Sequence, residues 1–123
     1  MIESGMFVIA SRDVAATLAW YTSLGFTEVA RYPTDESTVF WGLVKLGNVE
    51  LSFDVRGGAD THGAAVVLAT DRVREFYEFL TSRQIATADV EFVRTLHEPE
   101  HGGLEFSIRD PNGLTIRFHQ AMG

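Results

Sequence analysis

The tetrapeptide Asp110-Pro111-Asn112-Gly113 lies between two segments in which apolar and polar residues alternate. Proline at its second position and glycine at its fourth favour a type I turn followed by a left-handed residue. The flanking segments, 104–109 and 114–119, have the period of two that is typical of strands. We therefore predict a β-hairpin with one apolar face and one polar face, the latter carrying Arg117 and His119.

The chain repeats one order of elements, namely a strand, a helix and three further strands. In the first copy we predict a helix at 14–24, capped by Ser11 or Asp13 and ended by Gly25, and strands at 7–10, 26–32, 38–46 and 49–55. An exposed turn is expected at 33–37 and a two-residue turn at Gly47-Asn48. In the second copy we predict a strand at 64–68, a helix at 73–80, an extended stretch within 85–92 and a loop at 94–101 before the hairpin.

A shift of 58 or 59 residues superimposes Asp13 on Asp71 and Trp20 on Phe79. An internal duplication is the most economical explanation of this match. At 123 residues the chain has the length of a single domain, 1–123, with module one at 5–55, a linker at 56–62 and module two at 63–120.

The charge and residue content exclude several classes of protein. A net charge of −7 disfavours nucleic acid and attracts cationic ligands, and the absence of cysteine excludes disulfides and thiolate metal sites. No basic leader or long apolar run is present, so we expect no membrane association and a soluble, cytoplasmic protein.

Several motifs together carry a family resemblance: Ser11-Arg12-Asp13, Trp20-Tyr21, Leu24-Gly25-Phe26, Glu75-Phe76-Tyr77 and Asp110-Pro111-Asn112-Gly113. They resemble the vicinal oxygen chelate superfamily, which includes glyoxalase I, extradiol dioxygenases, fosfomycin-resistance enzymes and bleomycin resistance proteins. The resemblance implies an α+β fold in which two βαβββ modules form a half-open barrel around a cavity. It also implies a homodimer.

The resemblance further implies where a divalent metal would be held in the superfamily's enzymes. The matching positions here are Met6, Ser52 (with Glu50 two places before it), Ala64 and Arg117. A thioether, a hydroxyl, a methyl group and a guanidinium are not the ligands of a hard cation, and the charge of Arg117 repels one. We therefore predict no metal, no other cofactor and no catalytic residue.

We predict that the ligand-binding residues are Phe40, Trp41, Glu50, Ser52 and Arg117. Trp41 either stacks on a flat ligand or packs in the core. Glu50 and Ser52 share the polar face of the fourth strand, and Arg117 either meets the ligand or forms an internal ion pair with Glu50.

Within the superfamily the chain most resembles the bleomycin resistance proteins, and this resemblance implies metal-free binding of a small organic ligand. The ligand would be a cationic or aromatic antibiotic of glycopeptide type, sequestered without bond breaking. The alternative is a glyoxalase-like lyase or dioxygenase with an atypical divalent-metal site formed from Glu50, His97, His101 or His119. Because Pro99 interrupts the histidines of the late loop, an acidic, mobile loop is the preferred interpretation of 97–101.

Overall fold

The computed structural model describes residues 1–34, 38–83 and 90–122. Its helices are α1 (Val14–Ser23) and α2 (Val73–Arg83). Its strands are β1 (Phe7–Ala10), β2 (Thr27–Tyr32), β3 (Trp41–Leu46), β4 (Val49–Asp54), β5 (Ala65–Ala69), β6 (Glu91–His97), β7 (Leu104–Arg109) and β8 (Thr115–Gln120).

The strands form two four-stranded sheets with the same connectivity, β1-β4-β3-β2 and β5-β8-β7-β6. In each sheet the first strand of the module pairs in parallel with the last, and the remaining pairs are antiparallel. The sheets belong to two compact units, Met1–Thr61 and His62–Gly123. The predicted α+β class with two βαβββ modules is confirmed.

In the first unit, helix α1 begins where Asp13 accepts a hydrogen bond from the Ala16 amide at 3.0 Å. It ends before Gly25, which has a φ of 103°. The helix packs on one face of its sheet, where a Cβ at Gly42 would lie 2.6 Å from Leu18. A larger residue at position 42 would therefore require the buried side chain of Leu18 to shift.

In the second unit, helix α2 packs on its sheet through aromatic rings. The ring of Phe106 is fully buried and lies within 6.2 Å, between centroids, of each of four neighbours. Those neighbours are Phe76, Tyr77, Phe92 and Phe118. The core of this unit is thus an aromatic cluster between α2 and strands β6, β7 and β8.

The predicted hairpin between β7 and β8 is confirmed, and Asp110 holds its turn. One carboxylate oxygen of Asp110 accepts hydrogen bonds from the amides of Asn112 and Leu114, both at 2.8 Å. Gly113 has the expected positive φ, 87°. Asp110 is 5% exposed, so the two amides rely on its side chain rather than on water.

Replacing this carboxylate is expected to destabilise the fold. Asp110→Ala should lower the free energy of unfolding by about 2 kcal/mol, because the buried amide of Leu114 loses its acceptor. Urea denaturation followed by circular dichroism measures the change. Asp71→Ala is the matched control, since Asp71 is exposed and a surface aspartate should cost about 0.5 kcal/mol or less. Equal effects of the two substitutions would contradict the prediction.

One predicted boundary in the second unit is wrong. The loop expected at 94–101 is strand as far as His97, because β6 pairs with β7 through two register irregularities, at Phe92/Arg94 and Arg94/His97. Bulges of this kind break the alternation of polar and apolar residues by which a strand is recognised in sequence. Residues 35–37 of the predicted turn and 85–89 of the predicted extended stretch lie outside the described residues.

Candidate functional site

The sheet face opposite α1 carries most of the predicted ligand-binding residues. The register of β3 and β4 places Trp41 opposite Asp54, Leu43 opposite Ser52, and Lys45 opposite Glu50. Because paired residues point to the same side of a sheet, all six side chains share this face. The other face packs on α1 through Tyr21 and Phe53, whose ring centroids lie 4.9 Å apart.

Ser52 is the most deeply placed polar residue of this face. It is fully buried, between Val8 on β1 and Leu43 on β3. Its hydroxyl oxygen has no hydrogen-bond partner among the described residues. A buried hydroxyl without a partner costs free energy, and it can both donate to and accept from a ligand.

The end of β4 brings an anion, a cation and an aromatic ring together. The hydrogen bond from the side chain of Arg56 contributes most to holding the pKa of Asp54 below its usual value, and the Arg56 amide adds to it. The guanidinium of Arg56 also lies 4.1 Å from the centre of the Phe40 ring. Phe40 is therefore already covered on one face by Arg56, and both Phe40 and its neighbour Trp41 are half-buried.

The corresponding face of the second unit is polar and partly charged. The register of β7 and β8 places Glu105 opposite His119 and Ser107 opposite Arg117. These four side chains point away from α2, because Phe106 and Phe118 on the same strands face the helix. Glu105 is only 5% exposed and lies at the centre of the group.

Arg117 and His119 both contact Glu105. Arg117 donates through Nε and a terminal nitrogen to the two carboxylate oxygens at 3.3 Å, and Nδ1 of His119 lies 3.1 Å from Oε1. Burial raises the pKa of Glu105, but hydrogen bonds and charge from Arg117, with a contribution from His119, outweigh burial and lower it below the usual value. Glu105 is therefore an ionised, buried carboxylate at neutral pH.

Two histidines from the segment before β7 complete the group. Nε2 of His97 lies 3.9 Å from Oε2 of Glu105, and Nε2 of His101 lies 3.8 Å from Oε1. The ring of His101 stacks on that of His119, with centroids 5.0 Å apart. We call His97, His101, Glu105 and His119 the histidine–glutamate cluster. It brings together the three histidines that the sequence offered as atypical ligands, around a carboxylate that was not predicted from the sequence.

Glu105 could have been found from the hairpin alone. The turn at 110–113 pairs Arg109 with Thr115, and counting back along both strands pairs Glu105 with His119. An acidic residue in an apolar strand, opposite a histidine, is the signal. Arg117 takes its ion-pair partner, Glu105, from the adjacent strand, whereas Glu50 was the partner considered from sequence.

The positions that hold metal in the superfamily's enzymes are poorly suited to a cation here. Val8 pairs with Ser52 in one sheet and Val67 with Arg117 in the other, so Ser52 and Arg117 are equivalent. One assignment needs correction: α2 begins 59 residues after α1, so the equivalent of Met6 is Ala65 rather than Ala64. Both residues are alanines, so the side chain at the position equivalent to Met6 is a methyl group under either assignment. Together with the Arg117 guanidinium, these residues do not fit a divalent metal.

Comparison with known proteins gives a family match over nearly the whole chain. The family model described as the Glyoxalase/Bleomycin resistance protein/Dioxygenase superfamily matches residues 4–118. No curated protein has a sequence similar enough to this chain to count as a relative. Within the described residues, neither helix has the length and apolar content needed to cross a membrane.

Solved structures share the fold. TioX from Micromonospora sp. ML1 has a TM-score of 0.81 at 18% identity, covering 98% of this chain and 100% of its own. The bleomycin resistance determinant encoded on transposon Tn5 has a TM-score of 0.67 at 26% identity, and the match covers 99% of this chain and 100% of that protein. A bleomycin-binding protein complexed with bleomycin has a TM-score of 0.66 at 25% identity, and the match covers 98% of this chain and 100% of that protein.

Proposed function

Because the chain belongs to the Glyoxalase/Bleomycin resistance protein/Dioxygenase superfamily, we propose that it binds a bleomycin-type antibiotic and removes it from solution unchanged. The ligand class is a cationic or aromatic small molecule. Binding does not use a metal at the positions employed by the superfamily's enzymes. We propose that the protein acts as a cytoplasmic homodimer, which size-exclusion chromatography and cell fractionation would test.

The observation that carries the proposal is the composition of the sheet face opposite α1. Half-buried Trp41 lies opposite Asp54, and the unpartnered hydroxyl of Ser52 lies beside that pair. An indole ring provides area for stacking, a free hydroxyl fixes orientation, and the Asp54 carboxylate favours a cationic group that takes the place of the exposed Arg56 side chain. Glu50 adds a second carboxylate on the same face.

Two further findings support this ligand class. The net charge of −7 attracts a cationic ligand at long range. Two similar structures, at 25% and 26% identity over essentially complete chains, are a bleomycin-binding protein and a bleomycin resistance determinant. The enzyme alternative requires a metal, and the side chains of Met6, Ser52, Ala65 and Arg117 argue against the superfamily's usual place for one.

Calorimetric titration with metal-free bleomycin tests the proposal. We expect submicromolar binding by the wild-type protein and a loss of at least tenfold in affinity for Trp41→Ala, because truncating a stacking tryptophan typically costs about 2 kcal/mol. Phe79→Ala is the matched control. Phe79 is a partly exposed aromatic residue on α2, which packs on the opposite side of the second sheet from Arg117.

Two results would contradict the proposal. Absence of binding heat at protein concentrations of tens of micromolar would exclude bleomycin as the ligand. Equal losses in Trp41→Ala and Phe79→Ala would exclude the β3 face as the site. Substitutions at Phe40, Glu50, Ser52 and Arg117 then extend the same titration to the other predicted ligand contacts.

A further inference from the structure

We infer that the histidine–glutamate cluster is a binding site for a transition-metal dication such as Zn²⁺, with His101, Glu105 and His119 as ligands. The site lies on β7, β8 and the turn before them. It is distinct from the positions of Met6, Ser52, Ala65 and Arg117 considered above. The inference does not depend on the proposed antibiotic binding.

The spacing of the ligand atoms supports a shared metal ion. One ligand atom from each of the three residues lies within 4.8 Å of the other two. Zn–N and Zn–O bonds of about 2.0–2.2 Å at a tetrahedral angle place ligand atoms about 3.4 Å apart. The separations from Oε1 of Glu105 are 3.1 Å to His119 and 3.8 Å to His101. The latter is too long for a hydrogen bond and close to the spacing of two ligands.

His97 provides an independent observation. Its Nδ1 lies 2.7 Å from the carbonyl oxygen of Thr95, and since a carbonyl only accepts, Nδ1 is the donor. In the neutral ring Nε2 then carries a lone pair, and this atom is buried without a partner among the described residues. It faces Oε2 of Glu105 at 3.9 Å. A bound ion that carries a water ligand would give this buried nitrogen the hydrogen-bond partner that it lacks among the described residues.

Arg117 competes with a metal ion for Glu105 but does not block it. Its contacts with the carboxylate are long, 3.3 Å each, and its side chain is 37% exposed. It can therefore turn toward solvent or remain on Oε2 while Oε1 binds the ion. The positive charge of the guanidinium lowers the affinity of the site for a dication.

The ligand types select the kind of metal. Two imidazoles and one carboxylate, without thiolates, suit Zn²⁺, Co²⁺ or Ni²⁺, whereas Mg²⁺ and Ca²⁺ prefer oxygen ligands. Glu105 and His119 are held by paired strands, and His101 is oriented by stacking on His119. Three protein ligands leave a coordination position open for water or for a small anion.

The test is a titration of the chelator-treated, full-length protein with Zn²⁺ by calorimetry, and with Co²⁺ by visible absorption. We expect one ion per chain, micromolar or tighter affinity, and the intense visible bands of tetrahedral Co²⁺. His101→Ala should weaken Zn²⁺ binding at least tenfold, and Arg117→Gln should strengthen it. The histidine control is His62→Ala, which lies outside the cluster and should bind as the wild type does.

The decisive variant is His101→Ala, because the side chain of His101 is 56% exposed and its removal leaves the core intact. Wild-type affinity in this variant, or binding of Mg²⁺ as strong as that of Zn²⁺, would overturn the inference. Absence of any saturable Zn²⁺ binding in the wild-type protein would overturn it as well. Glu105→Gln is a second test if circular dichroism shows that the variant is folded, and it should lose Co²⁺ absorption.

Discussion

Phe106→Ala is expected to lower the free energy of unfolding by about 4 kcal/mol, a large share of the ~5–15 kcal/mol that stabilises a typical domain. Phe106 has no exposed surface, and its ring stacks on Phe118 at 4.9 Å and meets Tyr77 edge-to-face at 5.2 Å. Removing the ring leaves a cavity that strands β6 and β8 cannot fill, because their hydrogen bonds to β7 hold them in place. The loss of stability therefore combines the lost transfer free energy of the buried ring with the cost of the cavity that its removal leaves.

Urea denaturation with far-ultraviolet circular dichroism measures this change. Phe79→Ala is the matched control, since Phe79 is a phenylalanine with 37% of its surface exposed, at the edge of the same cluster. We expect it to cost about 1 kcal/mol, in proportion to the smaller area that it buries. If both variants cost about the same, the aromatic cluster around Phe106 is not the core of the second unit.

Gly103→Ala is expected to cost about 3 kcal/mol and to disturb the histidine–glutamate cluster. Gly103 has a φ of 87°, a conformation that alanine adopts only with strain. A Cβ there would also overlap the backbone oxygen of Gln120 and lie 3.0 Å from the ring of His119. Because the obstacle is backbone in a paired strand, relief requires the end of β8 to move.

Gly102→Ala separates the two causes. Gly102 has a similar φ of 93°, but a Cβ there would have no atom within 4 Å. The free energy of unfolding of Gly102→Ala should therefore fall only by the cost of placing alanine in this backbone conformation, about 1 kcal/mol. Thermal denaturation compares the two variants, and Zn²⁺ titration shows whether the cluster is affected. Equal stabilities, or unchanged Zn²⁺ affinity in Gly103→Ala, would contradict the proposed contact with β8 and His119.

The two proposals rest mainly on different units of the chain and can fail separately, although one predicted antibiotic contact, Arg117, lies in the second unit. Antibiotic binding rests on Trp41, Ser52 and Asp54 of the first unit, whereas the metal site rests on His101, Glu105 and His119 of the second. Titration of metal-free bleomycin into chelator-treated protein tests the antibiotic-binding proposal. Titration of Zn²⁺ in the absence of antibiotic tests the metal site. In each unit the helix covers one face of the sheet, and the polar residues gather on the other.

The sequence alone determined the elements that depend on local rules. A helix cap at Ser11 or Asp13, which the structure places at Asp13, the left-handed Gly25, the Gly47-Asn48 turn and the Asp110–Gly113 hairpin each follow from the chemistry of a few neighbouring residues. The repeated order of elements then indicated two βαβββ modules. The same alternation placed Glu50 and Ser52 together on one face of β4.

Only the tertiary structure decided what depends on contacts between distant segments. The two irregularities in β6 hid a strand that extends to His97, because its pairing is set by β7 rather than by its own alternation. The partners of Glu105 come from three places along the chain, at 97, 101 and 117–119. Strand pairing brings them within 4 Å of a single carboxylate. Counting along the hairpin can pair Glu105 with His119, but sequence spacing cannot show that His97 and His101 approach the same carboxylate, because their positions are fixed only when the sheet forms.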